Sequence, residues 1–197
     1  MMVAAWAAMA ALGLWAVTSD AHPSHPVAAP VTTTLAPTTT TTLPPTTTTT
    51  AAPDLRPVDV PTEHYAPEPI AVIGTIEIPK LGLHSSLGEG ISLVNIDRNP
   101  SHWPGTAMPG QPGNVVVAGH RVTHTKPFRH IDELVPGDEV FFTVGPARYR
   151  YVVTGSQVVT PSHTEIVDQT PDATGTLFAC HPPGSARYRY VVHLKLA

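Results

Sequence analysis

The first fifty-five residues contain no Lys and no Arg, and from Ala28 to Pro61 the chain is dominated by Thr and Pro, as in TTTLAPTTTTTLPPTTTTTAAP. Proline removes backbone donors, and threonine runs lack the apolar mass that would offset the entropy of ordering the chain. The expectation is therefore a disordered, extended spacer over residues 22–69, of the Thr/Pro kind that suits O-glycosylation outside a cell. This tract confines any packed core to residues 70–197, a length sufficient for one small domain.

Ahead of the spacer, Val3 to Val17 reads VAAWAAMAALGLWAV, uncharged throughout. A spanning helix wants about 20 apolar residues, so the run has the length of a signal-peptide core. Ser19 and Ala21 are small residues of the kind a signal peptidase reads, while no basic residue precedes the run. Residues 1–21 are thus expected to be a signal peptide or, uncleaved, a membrane anchor. Both imply an extracytoplasmic, cell-surface protein.

Beyond residue 70 the pattern is that of an all-β domain. Ile73, Ile76 and Ile78 precede Pro79, and Val115 to Ala118 form a continuous apolar run bounded by Gly113-Asn114 and Gly119. Further strands are expected at 140–144, 149–154, 158–160, 176–180 and 188–196, punctuated by Pro-Gly and Gly-Pro turns. One helix is expected from Pro127 to Leu134, with Phe128, Ile131 and Leu134 on its apolar face. Many short strands with few helices point to a closed or nearly closed barrel. The net charge of -4 and the absence of any basic stripe argue against nucleic acid as a partner.

Three segments carry chemistry. Gly113-Asn114-Val115-Val116-Val117-Ala118-Gly119-His120-Arg121 is a strand that ends in glycine and delivers His120, one of eleven histidines. Thr176-Leu177-Phe178-Ala179-Cys180-His181-Pro182 places the sole cysteine at a strand end before a Pro-Pro-Gly turn. A lone Cys excludes internal disulfides and zinc sites built on several thiolates, and a thiolate beside an imidazolium is an activated nucleophile. His181 is adjacent to Cys180, so on a strand it points the other way and is the weaker partner. Ala186-Arg187-Tyr188-Arg189-Tyr190-Val191-Val192 places two guanidiniums on one face of the last strand, suited to holding an oxyanion or carbonyl. No metal constellation or acidic loop cluster is visible, and no cofactor is called for.

The order His, Cys, Arg resembles the sortase family, whose hallmark is T-L-x-T-C with a histidine about sixty residues upstream and an arginine shortly downstream. Here TLFAC matches with Ala179 in place of the usual Thr, and His120 matches the histidine. Arg189-Tyr190-Val191-Val192 matches the arginine and its strand, with Arg187 as runner-up. The blocks HWPGTAMPGQPGNVVVAGHR, KPFRHIDELVPGDEV and TLFACHP are similar to class E sortases of actinobacteria in particular.

The resemblance implies an eight-stranded barrel with one or two short helices and a ping-pong transpeptidation. Cys180 would attack between Thr and Gly of an L-A-x-T-G or L-P-x-T-G sorting signal of a surface protein. His120 would move the protons, and Arg189 would stabilise the oxyanion. Thr176, Arg187 and His124 are candidate groove residues toward the peptide. The acyl group would pass to an amine acceptor of the cell wall. The competing reading is a non-catalytic extracellular β-barrel binding module on a mucin-like stalk. Papain-like enzymes place Cys before His, and the S-H-G-C-x-R run of L,D-transpeptidases is missing.

Overall fold

A computed structural model describes residues 54–197; the apolar segment and most of the Thr/Pro tract lie outside the described residues. Eight strands form a closed barrel: β1 (Ala71–Ile78), β2 (Leu83–Glu89), β3 (Ser101–His102), β4 (Gly113–Ala118), β5 (Glu139–Val144), β6 (Ala147–Val159), β7 (Ala173–His181) and β8 (Tyr188–Leu196). Their order around the wall is β1-β2-β3-β4-β7-β8-β6-β5, closed by β5 pairing with β1. Two neighbouring pairs are parallel, β2 with β3 and β4 with β7; the rest are antiparallel.

The interior follows from side-chain alternation. Ile76 and Ile78 of β1, Val115 and Val117 of β4, Phe142 of β5, Tyr151 and Val153 of β6, Leu177 of β7, and Val192 and Leu194 of β8 all point into one core. β4 is buried on both faces, which explains its unbroken apolar run. Val116, on the opposite side from Val115 and Val117, packs with Ile91, Trp103 and Val167 in a second cluster. Phe142 and Tyr151 meet edge to face at 5.4 Å, and the Tyr151 hydroxyl accepts from the Gly110 N–H at 3.0 Å.

Three expectations are corrected. The strands expected at 149–154 and 158–160 are one strand, β6, which ends at Val159 and whose ladder with β8 continues through an irregularity between Val153 and Gly155. The helix expected over Pro127–Leu134 is reduced to a 3-10 turn at Ile131–Glu133. Its apolar residues are nonetheless all buried, and its hydrogen bonds run from residue i+3 to i, as in Ile131 N to Phe128 O.

The third correction concerns the spacer. Residues 54–69 lie along the barrel as a strap. Val58 N donates to Pro104 O, and the Trp103 indole N–H donates to Val58 O at 2.8 Å. The Glu68 carboxylate accepts from Ile91 N, Ser92 N and Asn95 Nδ2. Ser92 in turn caps the short helix α1 (Leu93–Ile96) by accepting from Val94 N. Composition alone hides these contacts because they are made mostly by backbone and by one carboxylate.

Candidate active site

β4 and β7 run parallel with Val117 opposite Leu177 and Ala118 opposite Phe178. The Gly119 N–H continues the ladder, donating to Phe178 O at 3.1 Å. The same register continued by two residues on each strand, through Gly119 and Ala179, would set His120 alongside Cys180. Gly119 is required by space: a Cβ there would lie 2.6 Å from Phe128 Cδ2. The aromatic ring of Phe128 therefore presses directly on the backbone that delivers His120, and Phe128 N donates to His120 O.

Cys180 is the free, half-buried thiol near the end of β7. Across the antiparallel β7–β8 ladder its partner is Arg189. The Arg189 guanidinium is fixed by Nη1, which donates to Ala186 O at 2.9 Å and Tyr188 O at 3.0 Å. Arg187 was expected on the same strand face; it precedes β8, is exposed, and lies over the Tyr188 ring at 5.8 Å. Strand register thus separates two arginines that side-chain alternation alone places on one face.

His181 does turn away from this pair. Its Nδ1 accepts from Arg121 Nη1 at 2.7 Å, and Arg121, 2% exposed, also pairs with Asp132 at 2.7 Å. Thr176 is buried, its hydroxyl donating to Asn114 Oδ1 at 3.0 Å. It therefore sits within the barrel wall, beside a different depression from the one Arg189 lines. His124 stands near His120, their ring centroids 4.9 Å apart.

One polar residue of the site escapes sequence reasoning. Asp97, just past α1, accepts from His120 Nε2 at 2.6 Å. The same oxygen lies 3.3 Å from His124 Nδ1, while the Tyr65 hydroxyl donates to the other oxygen at 3.1 Å. Tyr65 comes from the strap, and its hydrogen bond to the Asp97 carboxylate raises the phenol above its ordinary value. Nothing near Asp97 in sequence marks it, because its partners are brought to it by the fold.

An apolar groove of about 390 Å³ adjoins the site, lined by Ile91, Leu93, Trp103 and Phe178 with Arg189 among its walls. Val60 of the strap forms part of the same lining. An apolar groove with one fixed guanidinium strengthens any interaction with a developing negative charge.

The sortase domain family matches residues 76–197. The chain is 34% identical over 145 residues to sortase SrtE1 of Streptomyces coelicolor, the match covering 66% of this chain and 41% of that protein. It is 27% identical to sortase D of Bacillus subtilis, over 66% of this chain and 67% of the relative. Among solved structures it is similar to a sortase D5 transpeptidase of Clostridium perfringens, at 35% identity and TM-score 0.60, covering 64% of this chain and 79% of that one. A sortase E variant from Streptomyces avermitilis gives 31% identity and TM-score 0.59, over 64% of this chain and 87% of the other. A closed eight-stranded barrel, a thiol facing an arginine across two strands, and a family match running through both make this chain a member of the sortase family.

Proposed function

We propose that the chain is a cysteine transpeptidase of surface proteins, with Cys180 as nucleophile, His120 as proton carrier and Arg189 as oxyanion partner. The placement of Cys180 opposite Arg189, with the β4–β7 ladder leading His120 to the same end of the barrel, carries the reading. The Cys180 thiolate attacks the carbonyl carbon between Thr and Gly of a sorting signal. The oxyanion that forms is held by Arg189. Its collapse breaks the C–N bond, and the glycine amine leaves with a proton from His120. An incoming amine of the cell wall then gives a proton to His120 and displaces the thiolate, which restores the starting state.

The apolar groove suits the Leu and Ala side chains of an L-A-x-T-G signal. The resemblance of the HWPGTAMPGQPGNVVVAGHR and TLFACHP blocks to class E sortases favours that signal over L-P-x-T-G. Arg187 and His124 are exposed and would be free to touch the peptide; for Thr176 the buried hydroxyl supports a part in the wall instead. A cell-surface site of action, with the apolar N-terminal segment as export signal or anchor, fits this chemistry. Among the described residues no helix is long and apolar enough to cross a membrane.

Fluorogenic peptides carrying L-A-x-T-G and L-P-x-T-G, mixed with the full chain and an amine acceptor, test the proposal. Cleavage between Thr and Gly, a thioacyl adduct on Cys180 by mass spectrometry, and silence in Cys180→Ala are expected. Equal signals from the two proteins would overturn it and favour the binding-module reading.

A further inference from the structure

Orientation of His120 needs a single acceptor, and Asp97 provides it at 2.6 Å. That requirement leaves unexplained why a second imidazole, His124, converges on the same carboxylate oxygen. His124 holds a backbone φ of 51°, in the left-handed region that non-glycine residues seldom adopt. Observed departures of this kind concentrate where a site over-determines the chain. Asp97 Oδ1, His120 Nε2 and His124 Nδ1 all lie within 4.8 Å of one another.

We infer that Asp97, His120 and His124 form a binding site for a divalent transition metal of the zinc type. Two imidazoles and one carboxylate are the donor set of an open zinc site with three protein ligands and a free position. With metal–ligand bonds of about 2.1 Å, tetrahedral ligands stand about 3.4 Å apart. The Asp97–His124 spacing of 3.3 Å already matches. The Asp97–His120 spacing must open by about 0.8 Å to reach that separation, a side-chain movement.

Tyr65 completes the arrangement. Its hydroxyl occupies the other Asp97 oxygen at 3.1 Å, leaving Oδ1 to bind the metal alone. Outer hydrogen bonds of this kind orient a ligating carboxylate. On binding, the His120 imidazolium gives its Nε2 proton to solvent and keeps the one on Nδ1. Any proton on His124 Nδ1 leaves with Nε2 protonated, and the metal takes one lone pair from each neutral ring. The ion then immobilises His120, so zinc acts as a reversible off-switch for peptide cleavage. That last consequence rests on the reading of His120 as proton carrier; the binding itself does not.

Zinc uptake by the full chain, stripped of metal and titrated in competition with a chromophoric chelator, tests the site. One zinc per chain is expected, with affinity reduced by about tenfold or more in His124→Ala and Asp97→Asn and retained in Cys180→Ala. Cobalt in place of zinc should give visible d–d bands without a thiolate charge-transfer band, a readout on the unaltered protein that does not depend on how the variants fold. Uptake in His124→Ala equal to that of the parent would assign the metal to other histidines and overturn the inference. Loss of binding in Cys180→Ala, or a thiolate band with cobalt, would overturn it equally. Inhibition of cleavage by zinc, relieved by chelator, is read separately. Its absence alongside normal uptake would count against the role of His120 and leave the site standing.

Discussion

Asp97 grips His120 through Nε2 at 2.6 Å, and among the described residues the ring's Nδ1 makes no hydrogen bond to the protein. The imidazole is thereby fixed in one orientation, with Nδ1 left for the proton transfer proposed for it. This is a positioning role, since Asp97 acts through His120. Asp97→Asn should lower kcat/KM by about 10²-fold, within the range that general acid–base groups contribute. The pH–rate profile should shift as well, because the charge beside the imidazole is gone. An unchanged profile with only a lower melting temperature would reduce Asp97 to scaffold.

Arg189 faces Cys180 across the ladder, and Arg187 lies outside the strand. Arg189→Ala is expected to cost about 10²–10³-fold in kcat, the scale for losing an oxyanion donor. Arg187→Ala should alter KM more than kcat. Steady-state cleavage of the same peptide by both variants decides the matter; a greater kcat loss at Arg187 would refute the register argument.

Glu68 neutralises three donors at the start of α1. Replacing it with Ala leaves the Ile91 and Ser92 N–H groups without their acceptor, while Asn95 Nδ2 keeps Pro69 O, at a cost of about 1–3 kcal/mol. Urea denaturation should show the loss as a lower midpoint at constant slope. A midpoint equal to the parent's would mean the strap is not held by this carboxylate.

His193 on β8 is partly buried beside Gln157, 3.1 Å away, and burial lowers its pKa from the ordinary 6.5. The unfolded chain therefore binds this proton more readily than the folded one. Stability from this residue is intact above 6.5 and is lost as pH falls below it toward the depressed folded value. His193→Gln should flatten that part of the stability–pH curve. Melting temperatures of both proteins across the window check the slope; parallel curves would exclude His193 as its source.

Legibility from sequence followed the range of the forces involved. β4 is plain because both of its faces are buried, giving an uninterrupted Val run. β2, with the sequence LHSSLGE, has no such signal; it is a strand because β1 pairs along it. Phe128, Ile131 and Leu134 show the right apolar face, but their spacing of three also suits successive tight turns, which the backbone adopts. Cys180 and His120 stand out as strand ends next to glycine or a proline turn. Asp97 and Tyr65 do not, since their roles arise only when distant segments converge.

The parallel seam between β4 and β7 joins segments far apart in the chain. Contacts of such long range form late, because closing a large loop is unfavourable until other pairings have shortened it. His120 and Cys180 sit on opposite sides of that seam. Hairpins such as β5–β6 can assemble locally, yet none of them brings the thiol to its histidine. Reactivity is therefore a property of the finished barrel, and the rise of thiol nucleophilicity during refolding would time the closure of this seam.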